Sequence, residues 1–359
     1  MAKHSVQQEE AYYGKVAAGK LFPLWKMPPQ QPEPKPRAVP YVWRWDSVVE
    51  LLDEAGRMDH TIDQGGERRA LIMINPGFEG PFAGTTPSIA AAMQMIKPGE
   101  VANAHRHSMA AIRFILRGSG ATTVVNGEKV TMEEGDLVLT PQMVWHDHTN
   151  PMAQDLYWLD ALDAPLVFYL NANFYNFYYE DVQPETVPEN HTADTLGGGL
   201  LRNQYAPPRE RSLSLIYKWK DTYAALHSAT EAEGSPFDGT IFEYTNPLDA
   251  GHTLPGMSCF IQRLRPGEHT EAHRHTTSVV YHAYQGQGSI IINGQRLDWA
   301  RGDTFVVPSW AWHEHVNGSY SEEAVLFSVS DLPVIEAMDL YKVEEGSRQE
   351  VAGVIEGSR

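Results

Sequence analysis

From about Ala70 onward, short apolar and β-branched runs alternate with turn residues: ALIMINPG, AAMQMIKPGE, AIRFILRGSG, ATTVVNGEKVTM and DLVLTP. Runs this short, broken this often by Gly, Pro and Asn, predict antiparallel strands in a sandwich or barrel. Asn126-Gly127, set between two alternating runs, predicts a tight hairpin. The same texture returns in MSCFIQRLRPGE, SVVYHAYQGQG, SIIINGQRLDW and DTFVVP, with Asn293-Gly294 as a second hairpin. Ahead of the first β region the pattern is helical. A short polar helical stretch is followed by prolines from Pro28 to Pro40, which forbid a helix and favour an extended arm. DSVVELLDEAGRM then predicts an amphipathic helix. Asp46 is its N-cap, Val48, Val49, Leu51, Leu52 and Ala55 its apolar face, and Gly56 its stop. Between the β regions, Val182 to Gly199 reads as a linker and a helix is expected around Ser212 to Ala229.

The two β regions repeat in one register. Gln94 precedes His105 by 11 residues, and Gln262 precedes His273 by 11. Pro98-Gly99-Glu100 matches Pro266-Gly267-Glu268, and Gly135-Asp136 matches Gly302-Asp303. His146 to Asn150 matches His313 to Asn317. Duplication accounts for this better than chance. The expected organisation is an N-terminal arm and helices over 1–75, a catalytic barrel over 76–180, and a linker with helix over 181–235. A second barrel is expected over 236–335 and a tail over 336–359. The fold class is all-β dominated.

Each copy carries the elements of a metal site. In a strand, residues i and i+2 share a face. His105 and His107 therefore aim together, as do His146 and His148, with Asp147 on the other side. If the sheet closes into a small barrel, His105, His107 and His146 converge inside it. Three imidazoles at one point leave coordination positions open for substrate. A lone inward His is more often a satisfied polar group, but a repeated His-x-His with a matching downstream His points to a metal. By chemistry alone the ion could be Zn, Cu, Ni, Mn or Fe.

The run PGE, His-x-His, Gly, then G-D-x4-P-x4-H-x3-N resembles the two motifs of the cupin fold. Cupins usually carry a glutamate seven residues before that glycine. Here those positions are Ala111 and Val279, so both copies are three-histidine sites. PLW near the start, AVP-x-x-W-R, ERR, INPG, WHDH and WLDALD together resemble the gentisate and salicylate 1,2-dioxygenases, from about Phe22 to Ser330. The resemblance implies a bicupin with two antiparallel β-barrel (jelly-roll) domains, an N-terminal helical arm and a helical linker. It also implies a non-haem Fe(II) enzyme that uses O2 to cleave a small aromatic hydroxy-acid. Gentisate is the first expectation. Salicylate, a 5-nitro- or 5-halosalicylate and 1-hydroxy-2-naphthoate obey the same chelation logic. An isomerase, a decarboxylase or a ligand-binding cupin is the alternative class.

By the same resemblance His105, His107 and His146 are the iron ligands. Arg113, of the same strand parity as His107, meets the substrate carboxylate, and His148 bonds a substrate oxygen and handles a proton. Gln94, Arg69 and Asp160 match further pocket positions. Asp160 could instead pair with an arginine structurally, and Arg68 could exchange with Arg69. Ala90 stands where the family carries an aromatic residue, which opens the pocket or changes how the ring packs. The second copy keeps His273, His275 and His313, a possible second metal site, but has Tyr281 where the first has Arg113. Catalysis is therefore expected in the first barrel.

Charge and cysteine content narrow the rest. The 359 residues carry a formal net charge of -18 with no basic run, which argues against a nucleic-acid partner. No apolar run approaches a membrane span, and the first 15 residues, MAKHSVQQEEAYYGK, lack the apolar core of a secretory signal. The one cysteine, Cys259, can form no intrachain disulfide, and the expected compartment is the cytoplasm. The arm suits contact with a neighbour, so a homo-oligomer is expected, a tetramer by resemblance.

Overall fold

The computed structural model describes residues 6–58, 69–80, 83–196, 214–230 and 233–346. Residues 1–35 form one compact unit and residues 36–359 another. The first contains the helix Val6–Ala18 and a short 3-10 turn, Leu24–Lys26. Within it Trp25 donates its ring N–H to Tyr13 (3.2 Å), and Lys26 lies over the Tyr13 ring.

The larger unit holds two barrels, each made of a six-stranded and a five-stranded antiparallel sheet. In the first barrel the six strands run in the order Ile216–Tyr217, Leu137–Thr140, Ala111–Arg117, Leu156–Leu162, Ala90–Ile96 and Arg69–Ile72. The five run Tyr175–Phe177, Val101–His107, His146–Thr149, Thr122–Val125 and Glu128–Thr131. The second barrel repeats this plan, with Tyr41–Trp43 on the edge where the first has Ile216–Tyr217. Both Asn-Gly pairs form their hairpins. Val125 pairs Glu128 and Ile292 pairs Gln295, and all four turn residues have positive φ.

The strand AIRFILR reads as a continuous apolar run because both of its faces are covered. Arg113 and Ile115 point into the first barrel. Ile112, Phe114 and Leu116 point into a core shared with the second barrel, which includes Cys259, Ile261, Val280, Phe327 and Val329. Phe114 stacks on Phe327 with ring centroids 4.1 Å apart and planes 2° from parallel.

The helices depart from expectation in an informative way. The first spans Trp45–Arg57, one residue ahead of the Asp46 cap. Its cap comes from the second barrel instead: Trp45 N–H donates to Asp303 Oδ1 (2.9 Å), and Arg44 pairs with Asp303 Oδ2 (2.6 Å). Gly56 lies inside the helix, where a Cβ would come 2.7 Å from Met95 Cε, so it permits close packing rather than a stop. Leu51 is exposed, and Val49 and Leu52 are the buried stripe. The second helix spans only Trp219–Ser228, because Ile216–Tyr217 is a strand on the first barrel; Ser212 lies outside the described residues. It is capped by Asp136 of the first barrel, which accepts from Trp219 N–H (2.8 Å) and pairs with Lys218 (2.6 Å). Each Gly-Asp turn thus anchors the helix that leads into the other barrel. Gly135 and Gly302 have φ of 88° and 92°, and a Cβ on either would meet the Trp219 or Trp45 ring at 2.5 Å.

The linker reading also changes. Gln183 is buried, accepts from Gly127 N–H, donates to Val124 O, and its backbone N–H meets Asp147 Oδ2. The segment is strapped to the first barrel by the aspartate that faces away from the histidines. It continues into a short helix, His191–Leu196, and residues 197–213 lie outside the described set.

Asp136→Ala and Asp303→Ala each remove a helix cap and the acceptor of a buried-end ion pair. Each is expected to lower unfolding free energy by about 1–3 kcal/mol in urea melts. A loss below about 0.5 kcal/mol in both would show that the caps are dispensable.

Candidate metal centre

Three histidines meet inside the first barrel. Val101–His107 and His146–Thr149 are neighbours in the five-stranded sheet, with His105 opposite His146. The register slips between Ala102 and His105, giving the first strand one extra residue, a bulge that re-aims the histidine side chains beyond it. Each ring is fixed from behind by a backbone carbonyl. His105 Nδ1 donates to Asn103 O (2.6 Å), His107 Nδ1 to Met109 O (2.7 Å) and His146 Nδ1 to Val144 O (3.0 Å). A carbonyl can only accept, so the proton sits on Nδ1 and the Nε2 lone pair is left for the centre. The three candidate ligand atoms lie within 4.8 Å of one another, and all three residues are buried.

His146 Nε2 is buried with no hydrogen-bond partner. Buried polar atoms in native structures are satisfied, so a metal ion is the partner these residues fit. Burial first, then the positive fields of His105, Arg113, His107 and His148, hold His146 well below the ordinary histidine range. It is therefore a neutral ligand at pH 7. Ala111, at the position of the usual cupin glutamate, is buried and offers no donor.

A charged cluster shares the barrel interior. Arg113 and Asp160 face each other across adjacent strands, with Nε 3.3 Å from Oδ1. Arg113 Nη1 donates to Thr140 Oγ1 (2.5 Å). All three are buried. The His148 ring lies 5.8 Å from the ring of His146 and 5.8 Å from Trp158. Gln94 lies opposite Trp158, Ala92 opposite Asp160 and Ala90 opposite Leu162, so these three positions share the barrel-facing side. Ala90 is half-buried.

Arg69 is placed differently. It lies opposite Met95, on the side of the shared core, and its Nη1 donates to both carboxylate oxygens of Glu100 (2.5 and 2.6 Å). The structure therefore directs Arg69 to Glu100 rather than to the histidines; Arg68 lies outside the described residues. Three neighbours were not singled out from the sequence. Thr140 fixes Arg113, Trp158 is fully buried with its ring N–H unpartnered, and Tyr175 stacks on His105 at 5.4 Å. Strand parity with Val138 would have found Thr140, and parity with Asp160 would have found Trp158. Tyr175 belongs to an added strand that no local pattern announces.

His273, His275 and His313 come together likewise in the second barrel, again within 4.8 Å and buried. Their surroundings are not repeated. Tyr281, Ser328 and Val307 stand where Arg113, Asp160 and Thr140 stand in the first. Tyr281 stacks on Phe305 and meets His315 edge-on.

Burial holds His146, His273, His275, His282, His313 and His315 below the usual histidine value. Below about pH 6.5 the unfolded chain takes up protons that the folded chain refuses, so stability falls with pH. Buried carboxyls with raised values, Asp163 to about 6 among them, act in the opposite sense. The histidine effect is therefore sought between pH 7 and 6. The metal-stripped protein is expected to melt at lower temperature at pH 6 than at pH 7. A constant or rising melting temperature would mean that these rings are not buried neutral.

Comparison with known proteins agrees with this geometry. The cupin domain model matches residues 92–162 and 260–330. The 5-aminosalicylate 1,2-dioxygenase of Comamonas sp is 42% identical over 343 residues, covering 93% of this chain and 89% of the relative. The 1-hydroxy-2-naphthoate 1,2-dioxygenase of Nocardioides sp. (strain KP7) is 37% identical, covering 87% and 80%. The crystal structure of salicylate 1,2-dioxygenase from Pseudoaminobacter salicylatoxidans with gentisate superposes with a TM-score of 0.86 at 31% identity, covering 96% of each chain. With two cupin barrels and relatives this similar over nearly its whole length, the chain belongs to the gentisate and salicylate 1,2-dioxygenase family.

Proposed function

We propose that this enzyme is an Fe(II)-dependent dioxygenase that opens the ring of a 2-hydroxybenzoate between the carboxyl-bearing and hydroxyl-bearing carbons. One observation carries the reading: three buried imidazoles share a barrel with a buried Arg113–Asp160–Thr140 cluster. In the reaction the C1–C2 bond breaks and both atoms of O2 are kept. One becomes the 2-oxo group beside the original carboxylate. The other joins the hydroxyl oxygen in a new carboxylate.

His105, His107 and His146 hold the iron. A ferrous ion there supplies the one-electron chemistry that lets a closed-shell ring react with triplet O2. The protein supplies position and charge. Arg113, locked between Asp160 and Thr140, presents a fixed cation to the substrate carboxylate. His148, beside His146, bonds the phenolic oxygen and accepts its proton. Gln94 faces the same space and orients the ring.

Gentisate is the first substrate to test. The Comamonas relative is named for 5-aminosalicylate and the solved neighbour holds gentisate, which both support a polar group on ring carbon 5. Ala90 and Ala92 present only methyl groups on the pocket side, which favours 1-hydroxy-2-naphthoate as a second reading. Exposed Leu21, Phe22, Leu24 and Trp25 support assembly as a homo-oligomer, a tetramer by family.

After anaerobic Fe(II) reconstitution, oxygen uptake is to be measured with gentisate, salicylate, 5-amino-, 5-nitro- and 5-chlorosalicylate, and 1-hydroxy-2-naphthoate. Uptake with none of them would overturn the reading. Arg113→Ala removes charge-assisted hydrogen bonds worth roughly 2–3 kcal/mol, a rise of roughly 30- to 150-fold in KM. Arg113→Lys keeps a charge facing Asp160 and recovers part of that loss. Ala90→Trp fills the pocket and is expected to lower kcat/KM for 1-hydroxy-2-naphthoate at least about tenfold more than for salicylate.

A further inference from the structure

Each His-Arg-His triplet contains one residue that the histidine centre does not use. Arg106 and Arg274 point away from the histidines on either side of them, yet both barrels keep them. In each barrel an added edge strand lies along the triplet. Tyr175–Phe177 sets Tyr175 opposite His107, Asn176 opposite Arg106 and Phe177 opposite His105. Val343–Gly346 sets Val343 opposite His275, Glu344 opposite Arg274 and Glu345 opposite His273. Asn176 and Glu344 thus hold equivalent places in the repeat.

Residues directly opposite in an antiparallel pair share a face. Tyr175 and Phe177 therefore lie on the histidine side. The Tyr175 ring stacks on the His105 ring, with centroids 5.4 Å apart and planes 11° from parallel. His105 is 1% exposed and Tyr175 39%, so Tyr175 stands between solvent and the buried triad.

On the opposite face the arginine holds the strand, and the two barrels differ in how firmly. Arg106 Nε donates to Asn176 Oδ1 at 3.2 Å, a neutral acceptor at the long end of the hydrogen-bond range. Its guanidinium lies over one ring, Trp145, at 4.5 Å. Arg274 instead donates Nε (2.9 Å) and Nη2 (2.6 Å) to Glu344 Oε2. Such charge-assisted bonds are each roughly twice as strong as a neutral one. The Arg274 guanidinium lies over two rings, Trp310 (4.3 Å) and Trp312 (4.8 Å). Lys342 adds a bond to Glu344 Oε1 (2.7 Å).

We infer that Asn176 keeps the first barrel accessible: as a neutral partner for Arg106, it lets Tyr175–Phe177 lift away from the histidines and return. Substrate and product pass by Tyr175, and Arg106 is the positioning residue that brings the strand back. Val343–Gly346, held by Glu344, stays closed. The inference rests on the ring-cleavage reading, which makes the first barrel the one that must admit an aromatic acid.

Hydrogen exchange read by mass spectrometry on the full-length protein compares the amides of 174–178 with those of 342–346. The first set is expected to exchange at least about tenfold faster. Asn176→Glu gives Arg106 the carboxylate of the second barrel and should slow the first set at least about fivefold. Arg106→Gln should speed the first set and leave the second unchanged. Access is read by stopped flow, mixing salicylate with Co(II)-loaded protein without oxygen and following the visible bands. Asn176→Glu is expected to lower the association and dissociation rate constants together, by at least about fivefold, with Kd held within about twofold. A merely structural change would not move both rates equally. Equal exchange of the two strands in wild type would overturn the proposal, as would Asn176→Glu leaving 174–178 or both rate constants unaltered. If salicylate does not bind, it is the ring-cleavage reading that has failed. The rate of Co(II) uptake by metal-free protein then reports access, and uptake as fast in Asn176→Glu as in wild type would overturn the proposal.

Discussion

Three imidazole nitrogens held at one point in a buried barrel interior constrain everything around them. Buried nitrogen lone pairs need a partner, and the backbone has already taken the other side of each ring. A cation is the partner that the orphaned Nε2 of His146 and the two rings beside it fit together. The strand bulge before His105, the carbonyls of Asn103, Met109 and Val144, and the methyl group of Ala111 in place of a carboxylate all serve that arrangement. An all-neutral ligand set would leave a bound ion its full charge, for an anionic chelating substrate to balance.

The duplication separates what a barrel needs from what a reaction needs. Both copies keep the histidines, the Gly-Asp turn, the Asn-Gly hairpin and the inward glutamine. Only the first keeps an arginine, an aspartate and a threonine in mutual contact. In the second those positions are Tyr281, Ser328 and Val307, and Tyr281 is absorbed into aromatic packing. The three-histidine geometry is present in both barrels, whereas the charged cluster is present only in the first.

Much of this was legible from residue spacing. Alternation gave the strands, Asn-Gly gave the hairpins, and the i, i+2 rule placed His105, His107, His146 and His148 together. What escaped was long-range. Asp46 looks like a cap because local chemistry favours it, yet Asp303, more than 250 residues on, supplies the acceptor. Gly56 looks like a stop, yet Met95 explains it. Arg69 looks like a pocket cation until its register sets it beside Met95 and Glu100.

The reciprocal anchoring of helices has a historical reading. Tyr41–Trp43 completes the sheet of the second barrel and Ile216–Tyr217 that of the first, and the helix after each strand is capped by the barrel it does not precede. Between two identical single-barrel chains, the same contacts would be an isologous, arm-exchanged dimer. Gene fusion of such a dimer would preserve its two-fold plan inside one polypeptide, and from then on one active centre could drift without loss of the other.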